Sequence, residues 1–171
     1  QILVRIDTED GLSGYGIGGG GLAGIHVVET VLRDMLVGQD ATDVEDLWNR
    51  MFRHTLAYGQ KGLVIMAISG VDLALWDLRG KRENKPLVAV LGGQANTTVP
   101  MYKTGWSPKE VAEGKLEGFR ALKLHMGRMT VAEAIDQMAL VRKTLGDDME
   151  LMFDAFMSWD LETALDVCKQ M

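Results

Sequence analysis

From about Gln94 onward the chain alternates between two hydrophobic periods, and this alternation constrains the fold more than any other feature. TVPMYKTG, FRALKLHMG and MELMFDAF read as strands. Ser107-Pro108 opens a helix that Gly118 ends, Thr130-Val131-Ala132-Glu133 is a capping box leading a helix to Leu145-Gly146, and a last helix begins near Asp160. Strands separated by single helices imply parallel βα units. Three such strands alone would leave pairable edges and an apolar face with too little cover. Further βα units are therefore expected, and the chain, which opens directly on QILVRI, is read as a fragment at both ends.

The first part has a different rhythm. Ile2, Val4 and Ile6 share one strand face, Asp10-Gly11 supplies a hairpin turn, and LSGYG returns. Three helical stretches follow. Val27, Val31 and Met35 mark the first, and Val44, Leu47, Met51 and Phe52 the second. LVIMAISGVDLALWDLRGK is apolar on most sides, as a central buried helix should be. A short helix starts at Pro86 and stops at Gly92-Gly93. The join falls around residues 93–98, which gives an α+β segment over 1–95 and a βα segment over 96–171.

Composition narrows the partners. With 18 basic and 24 acidic residues the net charge is −6, and no dense Lys/Arg stripe appears, so nucleic acid is not an expected partner. No apolar run reaches membrane-spanning length, so no membrane partner is expected. The start shows neither a basic leader nor a small-residue cleavage site. The single cysteine, Cys168, is read as a buried thiol on a helix, consistent with a reducing, cytoplasmic setting.

The strand FRALKLHMG carries the most chemical information. Ala121, Lys123 and His125 share one face, and Leu122 and Leu124 the other. With the leucines under helices, Lys123 and His125 point into a barrel or up at its C-terminal rim, where α/β enzymes collect catalytic groups. The alternative is an exposed edge strand with Lys123 in solvent. MELMFDAF repeats the pattern: Glu150, Met152 and Asp154 share a face, and Asp154 falls near the strand's C-terminal end. That position suits a hard-cation ligand, or equally a cap for the next helix. A metal carboxylate beside a Lys/His pair is what proton abstraction next to a carboxylate needs. Tyr102, Lys103 and Trp106 close the preceding strand and are candidates for lining a substrate pocket. His26 and His54 read as surface or packing residues, and Asp72 and Asp77 as members of structural ion pairs.

Residues 67–93, AISGVDLALWDLRGKRENKPLVAVLGG, resemble the signature of the mandelate racemase/muconate lactonizing branch of the enolase superfamily. GFRALKLHMG resembles its second barrel strand and LMFDAF its third. The resemblance implies an α+β capping domain followed by the first three βα units of a modified (β/α)7β TIM-type barrel. It implies an Mg²⁺ enzyme removing the α-proton of a carboxylate substrate. Asp154 matches the first of three metal carboxylates, and the other two would lie beyond Met171. Lys123 matches the first lysine of a Lys-x-Lys motif whose second lysine, usually the base, is His125 here. Phe156 replaces the usual polar residue two positions after the metal aspartate. VDLALWDL, the aromatic after Asp154 and MSWD make the chain most like acid-sugar dehydratases of the L-rhamnonate type. Such enzymes give a 2-keto-3-deoxy acid. Racemases, epimerases and cycloisomerases of the same branch, and a non-catalytic binding protein on this scaffold, are the alternatives. A small-molecule acid sugar and a homo-oligomer are the partners expected.

YGIGGGGLAG contains Gly16-x-Gly18-x-x-Gly21, the spacing of a dinucleotide-binding turn. The strand before it belongs to a hairpin, so the parallel context such a turn requires is missing. In the family that the chain resembles, this loop reaches over the barrel mouth. Gly16 to Gly21 are thus expected to form a mobile lid, with Gly18, Gly19, Gly20 and Gly21 contacting substrate.

Overall fold

In the computed structural model, residues 1–94, 98–105, 118–127 and 129–170 are described. The chain divides into two compact units, Gln1–Asn96 and Thr97–Met171. Each is built around its own core.

In the first unit, strand β1 (Ile2–Asp7) pairs antiparallel with β2 (Ser13–Gly18), in register from Ile2 opposite Gly18 to Asp7 opposite Ser13. Thr8 and Gly11 close the hairpin, with Gly11 at φ +86°. Alternation sends Ile2 and Val4 inward and Leu3 and Arg5 outward. On β2 the inward residues are Gly14, Gly16 and Gly18. Helix α1 (Gly21–Val27) follows and runs through a π-helical turn, Val28–Leu32, into α2 (Arg33–Leu36). Helix α3 (Val44–His54) is capped by Asp43, which accepts from the Asp46 amide, and buries Val44, Leu47 and Met51.

Helix α4 (Leu63–Glu83) organises this unit. It buries Ala67, Ile68, Val71, Ala74, Leu75 and Leu78 along one face, while Leu63, Met66 and Leu73 stay exposed. The inward glycines of β2 are what allow its approach. A Cβ on Gly16 would lie 2.1 Å from the Gly70 carbonyl oxygen, and one on Gly14 would lie 2.2 Å from that of Ala74. Polar contacts fix the register. Asp77 pairs with Lys81 at 2.6 Å and accepts the Tyr15 amide at 2.8 Å, while Lys81 donates to the Ser13 carbonyl at 2.8 Å. Asp77 is thus in a structural ion pair, as its sequence context predicts. Asp72 is not in one among the described contacts; the neighbouring Trp76 side chain opposes the rise that burial gives its carboxyl. Helix α5 (Leu87–Val90) follows Pro86 and ends before Gly92 at φ +78°.

The glycine run is divided among three structures, which corrects the mobile-lid expectation for its first half. Gly16 and Gly18 are ladder residues of β2, Gly19 donates its amide to the Met66 carbonyl at 3.1 Å, and Gly20 and Gly21 open α1. Close approach of a helix, rather than mobility, is what places glycine at positions 16 and 18.

In the second unit, β3 (Lys103–Gly105), β4 (Ala121–His125) and β5 (Glu150–Asp154) form a parallel sheet in that order. Helix α6 (Val131–Leu145) starts with the predicted capping box: the Thr130 hydroxyl accepts from the Glu133 amide, and the Glu133 carboxylate accepts from the Thr130 amide. Helix α7 (Leu161–Gln170) follows Asp160, which accepts the Thr163 amide at 2.8 Å. Leu122, Leu124 and Met126 are buried with Ala134, Met138, Val141 and Val167, which places the leucine face of β4 under the helices. The described strand at 103–105 is shorter than the TVPMYKTG pattern predicts, and the helix expected from Ser107 lies outside the described residues. Cys168 corrects the buried-thiol reading. It is exposed, because Val167 takes the core position and the next residue turns about 100° outward. No described helix is long and apolar enough to cross a membrane.

Candidate active site

Side chains on one face of neighbouring parallel strands stand beside each other, so register decides which polar groups meet. Thr104 of β3 is opposite Lys123 of β4, and His125 of β4 is opposite Asp154 of β5. The leucines on the other face are committed to the helix layer, so the polar set collects on the opposite face at the C-terminal ends of the strands.

Lys123 Nζ lies 3.4 Å from Asp154 Oδ2, and His125 Nδ1 lies 3.8 Å from the same oxygen. The Lys123 and His125 side chains are largely covered, at 25% and 13% exposed, and Asp154 is more open at 37%. The other carboxylate oxygen, Oδ1, accepts the Phe156 amide at 3.0 Å. That amide is the main cause holding the Asp154 carboxyl below its usual range. Partial burial opposes the shift, and Lys123 and His125 reinforce it. The His125 Nε2 is 3.0 Å from Thr104 Oγ1. The Tyr102 ring lies 5.8 Å from the Lys123 ammonium, a cation–π distance.

The structure therefore brings together Lys123, His125, Asp154 and Tyr102. Gly18, Gly19, Gly20 and Gly21 belong to the first unit, at the end of β2 and the start of α1. Trp106 lies outside the described residues. Sequence reasoning missed Thr104, although alternation from Tyr102 places it on the same face. It also missed that Phe156 stacks on His125, with ring centroids 4.8 Å apart and planes 28° apart. Both ends of the imidazole thus have neighbours, and a carboxylate with one oxygen anchored faces a lysine and a histidine. This arrangement can accept or deliver a proton beside an anionic group. Among the described residues, no three His, Cys, Asp or Glu side chains gather as a metal site.

An α+β unit followed by parallel βα units with Lys, His and Asp at the strand ends is the architecture of the enolase superfamily: a capping domain and part of the barrel. The chain belongs to the mandelate racemase/muconate lactonizing enzyme family, whose N-terminal domain model matches residues 1–92. An enolase C-terminal domain-like model matches residues 108–171. The chain is 39% identical over 168 residues to an L-rhamnonate dehydratase from Saccharopolyspora erythraea, covering 95% of this chain and 43% of that protein. Among solved structures, a magnesium-bound racemase from Streptomyces coelicolor A3(2) is 34% identical with a TM-score of 0.87, over 98% of this chain and 50% of that one. A 3,6-anhydro-D-galactonate cycloisomerase from Zobellia galactanivorans is 32% identical with a TM-score of 0.88, over 98% of this chain and 49% of the other. The chain thus spans about half the length of these relatives.

Proposed function

We propose that the protein containing this chain is an Mg²⁺-dependent acid-sugar dehydratase, a lyase that removes the α-proton of a sugar-acid carboxylate and expels the C3 hydroxyl. The observation that carries the reading is the convergence of Lys123 Nζ and His125 Nδ1 on one oxygen of Asp154 at the C-terminal end of a parallel sheet. Likeness to an L-rhamnonate dehydratase supports dehydration within the family. Residues 1–95 would form the capping domain and 96–171 the start of the barrel.

Asp154 fits a magnesium ligand by its chemistry: a hard oxygen donor, ionised, with one oxygen anchored by an amide and the side chain partly open. This chain would supply one carboxylate of the set, with two more from the following strands of the barrel. When bound, Mg²⁺ would act as a Lewis acid, holding the negative charge that develops on the substrate carboxylate.

The remaining work falls to this chain's side chains. His125 takes the proton from C2, and the bonding pair moves toward the carboxylate. As the pair returns, the C3–O bond breaks and the hydroxide accepts a proton and leaves as water. The enol then takes up a proton at C3 and gives up the proton of its C2 hydroxyl, becoming a 2-keto-3-deoxy acid. Lys123 and His125 are the proton carriers this chain offers for these steps, and Lys123 also offsets the anionic charge beside Asp154. Tyr102, against the Lys123 ammonium, would line the substrate side of the same mouth.

A racemase or cycloisomerase of the same family is the second reading, favoured by the racemase and cycloisomerase among the structural relatives. Product analysis of the full-length protein on an aldonic-acid panel separates them. A 2-keto-3-deoxy acid is the expected product, and an epimerised substrate with no keto acid would overturn dehydration.

A further inference from the structure

The turn after β5 has an unusual backbone for its sequence. The Ser158 amide donates to the Ala155 carbonyl at 3.0 Å, and the two residues between, Phe156 and Met157, have φ of +50° and +59°. Positive φ at both central positions is the type I′ pattern, dominated by Gly, Asn and Asp. A phenylalanine and a methionine there are strained, because a left-handed backbone brings Cβ against the following carbonyl oxygen. Such strain persists only where the surroundings over-determine it. Met157 is fully exposed, so of the two left-handed residues Phe156 is the one that packs.

The described contacts of Phe156 reach the candidate site. The Phe156 amide donates to Asp154 Oδ1, and its ring stacks on the His125 imidazole at 4.8 Å. The site also keeps a space for that ring. A Cβ on Gly127 would lie 2.6 Å from Phe156 Cβ and 2.7 Å from its Cδ2. Across the imidazole, Thr104 Oγ1 faces Nε2 at 3.0 Å. The histidine is therefore covered on a ring face by Phe156 and met at its edge by Thr104. An imidazole has two χ angles to fix, and contacts at its edge, to Thr104 and at 3.8 Å to Asp154 Oδ2, act on its nitrogens, whereas the stacked ring acts on its plane.

We propose that Phe156 is a positioning residue for His125: the left-handed turn presents its ring to the imidazole, Gly127 leaves room for it, and the stack fixes the plane in which His125 exchanges a proton with substrate. The proposal rests on the reading that His125 moves the α-proton. It explains why a bulky aromatic occupies a turn position that small residues favour, and why glycine stands at 127.

The test uses the full-length, Mg²⁺-loaded protein. Phe156→Leu keeps the amide and an apolar side chain but removes the ring, Phe156→Tyr keeps the ring, and Gly127→Ala displaces it. With Phe156→Leu, kcat should fall by about tenfold to a hundredfold, the range expected for a misplaced catalytic group, with KM and Mg²⁺ affinity unchanged. Phe156→Tyr should restore kcat. Independently of activity, the His125 ring C–H resonances should move downfield in Phe156→Leu and Gly127→Ala as the ring-current shift is lost. If Phe156→Leu does not fold, Phe156→Met reports in its place. Wild-type kcat in the ringless variant, unmoved His125 resonances, or a loss matched by weaker Mg²⁺ binding would each overturn the proposal. Full turnover by His125→Gln would instead overturn the acid/base role of His125, while the resonance shifts would still report the stack.

Discussion

Asp72 sits on α4 in a groove shared with Trp48, Trp76 and Glu45, and burial lifts its carboxyl above the ordinary 3.8; a hydrogen bond from Trp76 partly offsets the rise. A carboxyl raised on folding favours the folded state while protonated. Its contribution is complete below pH 3.8 and is lost as pH rises through the higher folded value. At neutral pH the ionised group therefore weighs against the fold. Asp72→Asn keeps an acceptor for Trp76 and removes the charge. The variant should melt at a higher temperature than wild type at pH 7, and the gap should shrink as pH approaches 4, measured by tryptophan fluorescence. A gap that widens on acidification would reverse the assignment. The companion carboxylate on the same helix behaves oppositely. Burial raises the Asp77 carboxyl, but Lys81 and the Tyr15 amide outweigh it and leave the group below its usual range. One helix thus carries two acids whose partners, rather than their exposure alone, set the sign.

At the scale of elements, the strand β2 and the helix α4 are joined by the absence of side chains. Gly16→Ala would place a carbon 2.1 Å from the Gly70 carbonyl oxygen and 2.6 Å from the Ala74 amide nitrogen. Neither backbone atom can give without moving the helix. Overpacking of this kind costs about 1–3 kcal/mol, and the upper end is expected here because the clash is with backbone. Gly21→Ala meets nothing within 4 Å and carries only the cost of φ +54°, about 1–2 kcal/mol. Urea unfolding of the two variants should rank Gly16→Ala as the more damaging. Equal losses would return the glycine run to a conformational role. The same pair of elements marks the limit of reading a sequence without coordinates. The capping box at Thr130, the hairpin at Asp10-Gly11 and the two faces of β4 were legible because each is decided by neighbours a few residues away. The need for glycine at 16 was not, since the atom it must avoid is 54 positions further along the chain, at Gly70. Thr104 and the stacking of Phe156 on His125 were missed for a related reason. Strand alternation assigns a face, but only the three-dimensional placement of β3 and of the turn after β5 shows which side chain touches His125.

For the molecule as a whole, the proposed proton carriers and the proposed metal site differ in how completely this chain supplies them. Lys123, His125, Thr104 and Phe156 lie within the second unit, and their described contacts include one another and Asp154. The proposed metal site has one carboxylate here: among the described residues no cluster of three His, Cys, Asp or Glu side chains forms. Mg²⁺ keeps an octahedral shell of oxygens and gives up water reluctantly, so one carboxylate holds it only weakly. The 171-residue chain on its own is therefore expected to show no saturable Mg²⁺ binding in the micromolar range by calorimetry, and no turnover of aldonic acids. The full-length protein should bind the ion, and Asp154→Asn should weaken that binding by about tenfold or more, comparable to losing an outer-sphere partner at the least. The two measurements bear on different links. Mg²⁺ binding by the full protein that survives Asp154→Asn would remove Asp154 from the metal site while leaving the Lys123–His125 pair in place. Turnover by the isolated chain would mean that Lys123, His125 and a single carboxylate suffice for the proton transfer. The carboxylates of the later strands would then be dispensable for chemistry.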